Sequence, residues 1–124
     1  MGLDQWIFKR DSEFDYESDE HCDDERMIYW RKAYAIHHYM ENLFNDVENC
    51  GDYPITLQEL KELKEVCQKI VDNHLLAEEL LPDIDPYEQY DSWYFMQLEN
   101  TINGINELIK KHTEGDEYYY YAWW

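Results

Sequence analysis

The two ends of the chain have the sequence patterns of β-strands, whereas the apolar residues between them recur at helical spacing. Residues 3–9 alternate, with Leu3, Gln5 and Ile7 on one side of an extended chain and aromatic or charged side chains on the other. Residues 117–122 contain four consecutive tyrosines, a residue type enriched in strands. We therefore expect the two termini to pair as antiparallel strands.

Three amphipathic helices are predicted between these strands. In each, apolar residues recur every three or four positions, which places them on one face of a helix. The predicted helices span about 24–48, 56–79 and 90–112. This pattern predicts an α+β fold in one domain, residues 1–124, with three main helices and a small antiparallel sheet formed by the chain termini. The expected core comprises Leu3, Ile7, Ile36, Met40, Leu43, Leu60, Leu63, Ile70, Phe95, Leu98, Ile102 and Ile105.

The composition limits the classes of function open to the chain. Its 124 residues include 29 acidic and 10 Lys or Arg residues, for a net charge of −19, yet 44% are hydrophobic and 17% are aromatic. Disordered acidic chains are poor in large apolar side chains, so we expect a folded protein with a strongly negative surface. Such a surface disfavours direct binding to nucleic acid or to an anionic membrane, and it favours a basic protein as partner.

The sequence also indicates a location. No apolar run approaches the roughly 20 residues that span a bilayer, and the first ten residues lack the pattern of a signal peptide. Cys22, Cys50 and Cys67 are widely spaced and form no CxxC pair, which is typical of reduced thiols in a reducing compartment. We therefore expect a cytoplasmic protein.

Negative charge is concentrated in residues 11–25, where nine of fifteen positions are carboxylates. The acids alternate between 11 and 19, and in an extended chain alternate carboxylates lie about 6.6 Å apart on one edge. Duplex DNA presents a phosphate on each strand about every 3.4 Å, so such an edge could replace alternate phosphates in a basic groove. A solvated loop is the other interpretation. The candidate partner-binding acids are Asp11, Glu13, Asp15, Glu17, Asp19, Glu20, Asp23 and Asp24.

No metal site, cofactor or catalytic centre is expected. A calcium loop starting at Asp11 has Tyr16 where a glycine is needed and Cys22 where a bidentate glutamate is needed. The neighbouring His37 and His38 would point about 100° apart on a helix and are poorly placed to share one zinc ion. The chain has only 4 glycines and none of the common catalytic or phosphate-binding motifs. We therefore expect that it is not an enzyme.

Several segments resemble a family of small bacteriophage-encoded proteins. They are the start MGLD, YWRKAYAIHHYM at 29–40, CGDYPITLQEL at 50–60, EELLP at 78–82 and YDSWYFMQLENTI at 90–102. The resemblance implies a phage origin and a place in the cytoplasm of an infected bacterium, and it supplies no site residues. The chain departs from the family at 83–89, where the acidic DIDPYEQ replaces a loop rich in glycine and phenylalanine.

These observations lead to two hypotheses of function. The first is a non-enzymatic phage accessory protein that binds and inhibits a basic, nucleic-acid-handling host protein of defence or DNA metabolism by mimicking nucleic acid. The alternative is a small-molecule binding protein that sequesters a nucleotide signal of host defence between exposed aromatic side chains, although phosphate binding needs local positive charge. Tyr119, Tyr121 and Trp123 are the candidate aromatic contacts, and their clustering also predicts a homodimer.

Overall fold

A small antiparallel sheet and four helices make up the part of the chain that the computed structural model describes, residues 2–10, 25–82, 90 and 92–124. The strands are β1 (Asp4–Lys9), β2 (Glu25–Arg31), β3 (Asp52–Ile55) and β4 (Tyr118–Trp123). The helices are α1 (Tyr34–Phe44), α2 (Leu57–Asp72), α3 (Ala77–Leu80) and α4 (Ser92–Lys111). The strand order is β2-β1-β4-β3. The α+β class is confirmed, with four helices in these residues where three were predicted.

The predicted pairing of the terminal strands is also confirmed. β1 and β4 are antiparallel neighbours, with Asp4 opposite Trp123 and Lys9 opposite Tyr118. They form the two central strands of the sheet, because β2 pairs with the outer side of β1 and β3 with the outer side of β4. Both ends of the described chain are therefore fixed by hydrogen bonds to neighbouring strands.

The helix predicted over 24–48 is wrong in its first part, where the chain forms β2. In this strand Ile28 and Trp30 are buried while Tyr29 and Arg31 are exposed, so the period is two rather than 3.6. The alternation was hidden because aromatic side chains occupy both sides of the strand. The helix α1 is correspondingly short and begins only at Tyr34.

β3 was not predicted, since the sequence NCGDYP around it was assigned to a loop. Its four residues pair only with β4, so the strand lies at the edge of the sheet. Proline lacks the backbone N–H that a central strand needs, and an edge strand is the place in a sheet where it is tolerated. Pro54 is therefore compatible with β3 although it obscured the strand in the sequence.

The two long helices follow the sequence pattern more closely. Thr56 caps α2, because its hydroxyl oxygen accepts a hydrogen bond from the Glu59 backbone N–H at 3.0 Å and the Glu59 carboxylate accepts one from the Thr56 N–H at 3.0 Å. α2 ends at Asp72, earlier than expected, and a 3₁₀ turn at His74–Leu76 leads into α3. α4 differs from its predicted bounds by one or two residues at each end.

The hydrophobic core lies between one face of the sheet and the helices. Side chains of Ile7, Ile28, Trp30 and Tyr120 from the sheet are buried in the same cluster as apolar residues of α1, α2 and α4. The predicted core residues are buried, except that Leu43 and Phe95 are only partly buried.

Candidate functional site

The other face of the sheet carries aromatic side chains that form their own cluster. These residues alternate with the core residues along β1, β2 and β4, so they point away from the helices. Ring contacts join them to one another, and none of them belongs to the hydrophobic core cluster. We call this surface the aromatic face, and it comprises Trp6, Phe8, Tyr29, Tyr119, Tyr121 and Trp123.

Trp6 lies at the centre of the aromatic face. Its ring centroid is 5.9 Å from that of Phe8, 5.6 Å from Tyr29 and 5.7 Å from Tyr121. Phe8 in turn stacks on Tyr119 at 5.4 Å. These separations are in the range of favourable aromatic pairs. Because the rings stand on three hydrogen-bonded strands and support one another, the face is preformed.

All three arginines of the chain lie on the aromatic face. Arg10 follows β1, and its guanidinium carbon is 4.9 Å from the centroid of the Tyr119 ring, the geometry of a cation–π contact. Arg26 is opposite Phe8 and Arg31 is opposite Asp4. The seven lysines, by contrast, include five on α2 and α4. In a chain with a net charge of −19, this places local positive charge next to aromatic rings, of which Tyr29 and Trp123 are exposed.

A β-bulge in the β1–β2 pair determines the position of Arg26. Ile7 is opposite Ile28, but Phe8 is opposite Arg26, so the register shifts by one residue at Met27. Without the shift, strict alternation from the buried Ile28 would direct residue 26 toward the helices. The bulge instead keeps Arg26 on the aromatic face, because a bulge can change the side of the sheet to which a side chain points.

An open cleft of about 510 Å³ lies at one end of the aromatic face. Its lining includes two arginines, one carboxylate and three aromatic rings, and we call it the arginine cleft. Its residues are Asp4, Trp6, Arg26, Tyr29, Arg31 and Trp123. A volume of this size is in the range of small-molecule sites, about 300–1,000 Å³.

Asp4 organises the arginine cleft. Its Oδ1 atom accepts a hydrogen bond from the Tyr29 hydroxyl at 2.6 Å and lies 3.8 Å from Nη1 of Arg31. The hydrogen bond to Asp4 raises the pKa of Tyr29 above its usual value, so the phenol stays protonated and donates. Arg26 has no carboxylate within ion-pair distance among the residues described.

The predicted partner-binding residues fall into two groups. The eight acids between 11 and 24 lie outside the described residues. Tyr119, Tyr121 and Trp123 lie on the aromatic face as alternate residues of β4, but Tyr119 is only 1% exposed and Tyr121 is partly buried. Trp123 is 48% exposed and is the one of the three best placed to contact a ligand or partner.

Sequence reasoning missed the arginine cleft. The alternation of β1 did place Asp4, Trp6 and Arg10 on one side, which was a partial signal. Assigning β2 to a helix removed Tyr29 and Arg31 from that surface.

Outside the aromatic face, the described residues offer little reactive chemistry. Burial raises the pKa of the Cys67 thiol to about 12, which keeps it protonated and unreactive. In the described ranges no three His, Cys, Asp or Glu side chains are grouped to hold a metal ion. Among these residues there is likewise no helix with the length and apolar character needed to cross a membrane.

Comparisons with protein-family models, with curated proteins and with solved structures gave no match to the chain.

Proposed function

We propose that this chain is a non-enzymatic phage accessory protein that binds and inhibits a basic, nucleic-acid-handling host protein in the host cytoplasm. The observation that carries the proposal is the uneven distribution of charge. Residues 11–25 contain nine of the 29 acidic residues and none of the ten basic ones. Eight of these nine acids precede β2 in the connection from β1. This charge is the expected attraction for a basic partner.

The residues on either side of 11–24 belong to the sheet. The Lys9 ammonium lies 3.3 Å from the Glu25 carboxylate across the β1–β2 pair, and the Arg10 N–H donates to the Glu117 carbonyl at 2.8 Å. A partner that binds the acidic segment is therefore expected to meet this end of the sheet as well.

The aromatic face supplies a second feature that supports protein binding. Tryptophan, tyrosine and arginine are the residue types most enriched among those that dominate binding energy at interfaces. Tyr29 and Trp123 are 51% and 48% exposed, and Arg31 lies beside them. In this proposal the acidic segment accelerates association with the partner, and the aromatic face contributes the short-range contacts.

The test is capture of basic proteins from host extract, followed by purification of the captured protein and measurement of association rates at rising salt. The variant carries Asp11→Asn, Glu13→Gln, Asp15→Asn, Glu17→Gln and Asp19→Asn. A matched control removes five exposed acids from the helices, by the changes Glu62→Gln, Glu65→Gln, Glu78→Gln, Glu79→Gln and Glu99→Gln.

We expect the variant in segment 11–24 to associate with the partner about tenfold more slowly or worse, because electrostatic steering raises association rates. The control should retain most of the rate, and DNA should compete with the wild-type protein for the partner. Equal effects of the variant and the control would contradict the mimic, since net charge alone would then explain the binding. A captured partner that still binds DNA in the presence of saturating protein would also contradict it.

A further inference from the structure

The arginine cleft combines features that an acidic protein has no structural need to bring together. All three arginines of the chain lie on the aromatic face. Two of them, with three aromatic rings and one carboxylate, line the same cleft. Arg26 reaches this surface only because of the bulge at Met27.

We propose that the arginine cleft binds a small planar anion of the nucleotide class, with its base against the aromatic rings and its phosphate against the two guanidinium groups. Trp123 and Tyr29 are exposed and flank the cleft, so a base can stack on either ring. Stacking on aromatic side chains tolerates any base and contributes substantially to affinity. Arginine is suited to phosphate because its planar donors bind two oxygens at once.

Asp4 gives the cleft a means of recognising the base. One of its oxygens already accepts the Tyr29 hydroxyl and faces Arg31. An ionised carboxylate has about four acceptor positions, so Asp4 can still accept a hydrogen bond from a ligand N–H. A ring with an amino or imino edge fits such a position better than a ring with only acceptors.

The ligand is expected to be a free nucleotide rather than a polynucleotide. A net charge of −19 repels a polyanion along its whole length. Residue-to-residue attractions within the cleft act over a few ångströms, whereas exposed charges beyond about 8 Å are largely screened at physiological ionic strength. The two guanidinium groups outnumber the single Asp4 carboxylate in the cleft, so they can hold one phosphate group even though the protein as a whole is acidic.

The alternative hypothesis from the sequence, a protein that binds a nucleotide signal, needed positive charge beside exposed aromatic residues. Arg26 and Arg31 of the arginine cleft provide that charge. This inference goes beyond the proposed protein partner. Both proposals use Tyr29, Arg31 and Trp123, but only the protein-binding proposal depends on the acids between 11 and 24. Neutralising five of those acids therefore tests the protein-binding proposal and leaves the residues of the cleft unchanged.

The test is calorimetric titration of the whole protein with the four ribonucleoside monophosphates, with tryptophan fluorescence as a second readout. Adenosine and inorganic phosphate are titrated separately, since each lacks half of the expected contacts. The variants are Arg26→Gln, Arg31→Gln and Trp123→Leu. The matched control is Lys61→Gln, which removes one positive charge from an exposed position on α2.

We expect at least one nucleotide to bind, and adenosine and phosphate to bind at least tenfold more weakly. Each of the three cleft variants should weaken nucleotide binding about tenfold, and Lys61→Gln should leave it within about twofold. Neutralising the five acids between 11 and 19 should leave nucleotide binding intact or strengthen it, although the same change should impair binding of a basic protein.

Three results would overturn the inference. The first is no binding of any nucleotide at concentrations up to about 1 mM. The second is nucleotide binding that Arg26→Gln and Arg31→Gln leave unchanged, which would place the ligand elsewhere. The third is tighter binding of a single-stranded oligonucleotide than of any mononucleotide, which would indicate a polynucleotide surface.

Discussion

Gln5 connects β1 to two other segments, and its replacement by methionine tests how much these buried hydrogen bonds stabilise the fold. The side chain is 0% exposed. Its Nε2 atom donates to the Ala33 carbonyl at 3.1 Å and to the Tyr120 hydroxyl at 3.0 Å, while its Oε1 atom accepts from the Ala33 N–H at 3.0 Å. Ala33 is the N-cap residue of α1, and its own side chain makes no capping hydrogen bond. Gln5, which is distant in sequence, therefore provides the partners for the Ala33 N–H and carbonyl.

The magnitude follows from the three hydrogen bonds. Methionine has nearly the same length and shape as glutamine but does not replace the lost donors and acceptor. Each hydrogen bond contributes about 1 kcal/mol net, and a backbone group left buried without a partner costs about 1–3 kcal/mol. We therefore expect Gln5→Met to lower the free energy of unfolding by about 3–4 kcal/mol, a large share of the roughly 5–15 kcal/mol typical of a domain.

Urea denaturation monitored by circular dichroism measures this loss. With a typical denaturant dependence of about 1–3 kcal/mol per molar urea, the midpoint should fall by roughly 1–4 M. Gln58→Met is the control, because Gln58 is exposed in the first turn of α2 and should change stability by less than about 0.5 kcal/mol. A Gln5→Met protein with stability within about 0.5 kcal/mol of wild type would refute the assignment of Gln5 as a structural link between β1 and α1.

Three further predictions concern other parts of the structure. Burial lowers the pKa of His37 below its usual value, against the opposing effect of Glu41. The neutral ring therefore contributes stability that is fully present above about pH 6.5 and is lost as the pH falls through the lower pKa of the folded state. An NMR titration that gave His37 a pKa above about 6.5 would contradict this prediction. Trp30 Nε1 donates to the Thr101 hydroxyl at 2.7 Å, so Thr101→Val should destabilise the protein by about 1–2 kcal/mol in urea denaturation, whereas an unchanged midpoint would show that the bond contributes nothing. The exposed Trp123 predicts a homodimer that forms through the aromatic face, and light scattering should show a dimer that Trp123→Ser converts to a monomer. A monomer mass at every concentration would rule out the homodimer.

The His37 prediction has a structural reason beyond burial. Tyr120 accepts a hydrogen bond from Gln5, and its hydroxyl lies 2.8 Å from His37 Nδ1. In the neutral tautomer with Nδ1 unprotonated, the Tyr120 hydroxyl donates to Nδ1, whereas protonation of His37 would turn Nδ1 into a donor and remove this acceptor. That neutral tautomer satisfies both groups.

The elements that sequence reasoning predicted well are those with one clear period. In α2 and α4 the apolar residues recur at helical spacing over four or more turns, and this pattern fits a helix but not a strand. Leu3, Gln5 and Ile7 likewise identified the inner side of β1, even though one of the three is polar. Gln5 is buried because its partners are supplied by Ala33 and Tyr120, which are distant in sequence and not predictable from it.

The arginine cleft shows why a site of this kind was not found from the sequence. Its residues come from three strands, and Trp6 meets Tyr29 only because β1 pairs with β2. A seven-residue strand with aromatic side chains on both sides has no distinctive period, and helical spacing in the following residues concealed it. The bulge adds a second obstacle, because a one-residue shift reverses the side on which Arg26 lies.

The separation of charges along the chain argues for two surfaces with different roles. Ion pairing within helices involves lysine, as between Lys110 and Glu107 at 3.4 Å, and such exposed pairs contribute little to stability. Arginine, the better ligand for planar anions and aromatic rings, is confined to the aromatic face. Arg26 and Arg31 line one cleft together with three aromatic rings, which is the arrangement on which the proposed binding of a planar anion rests.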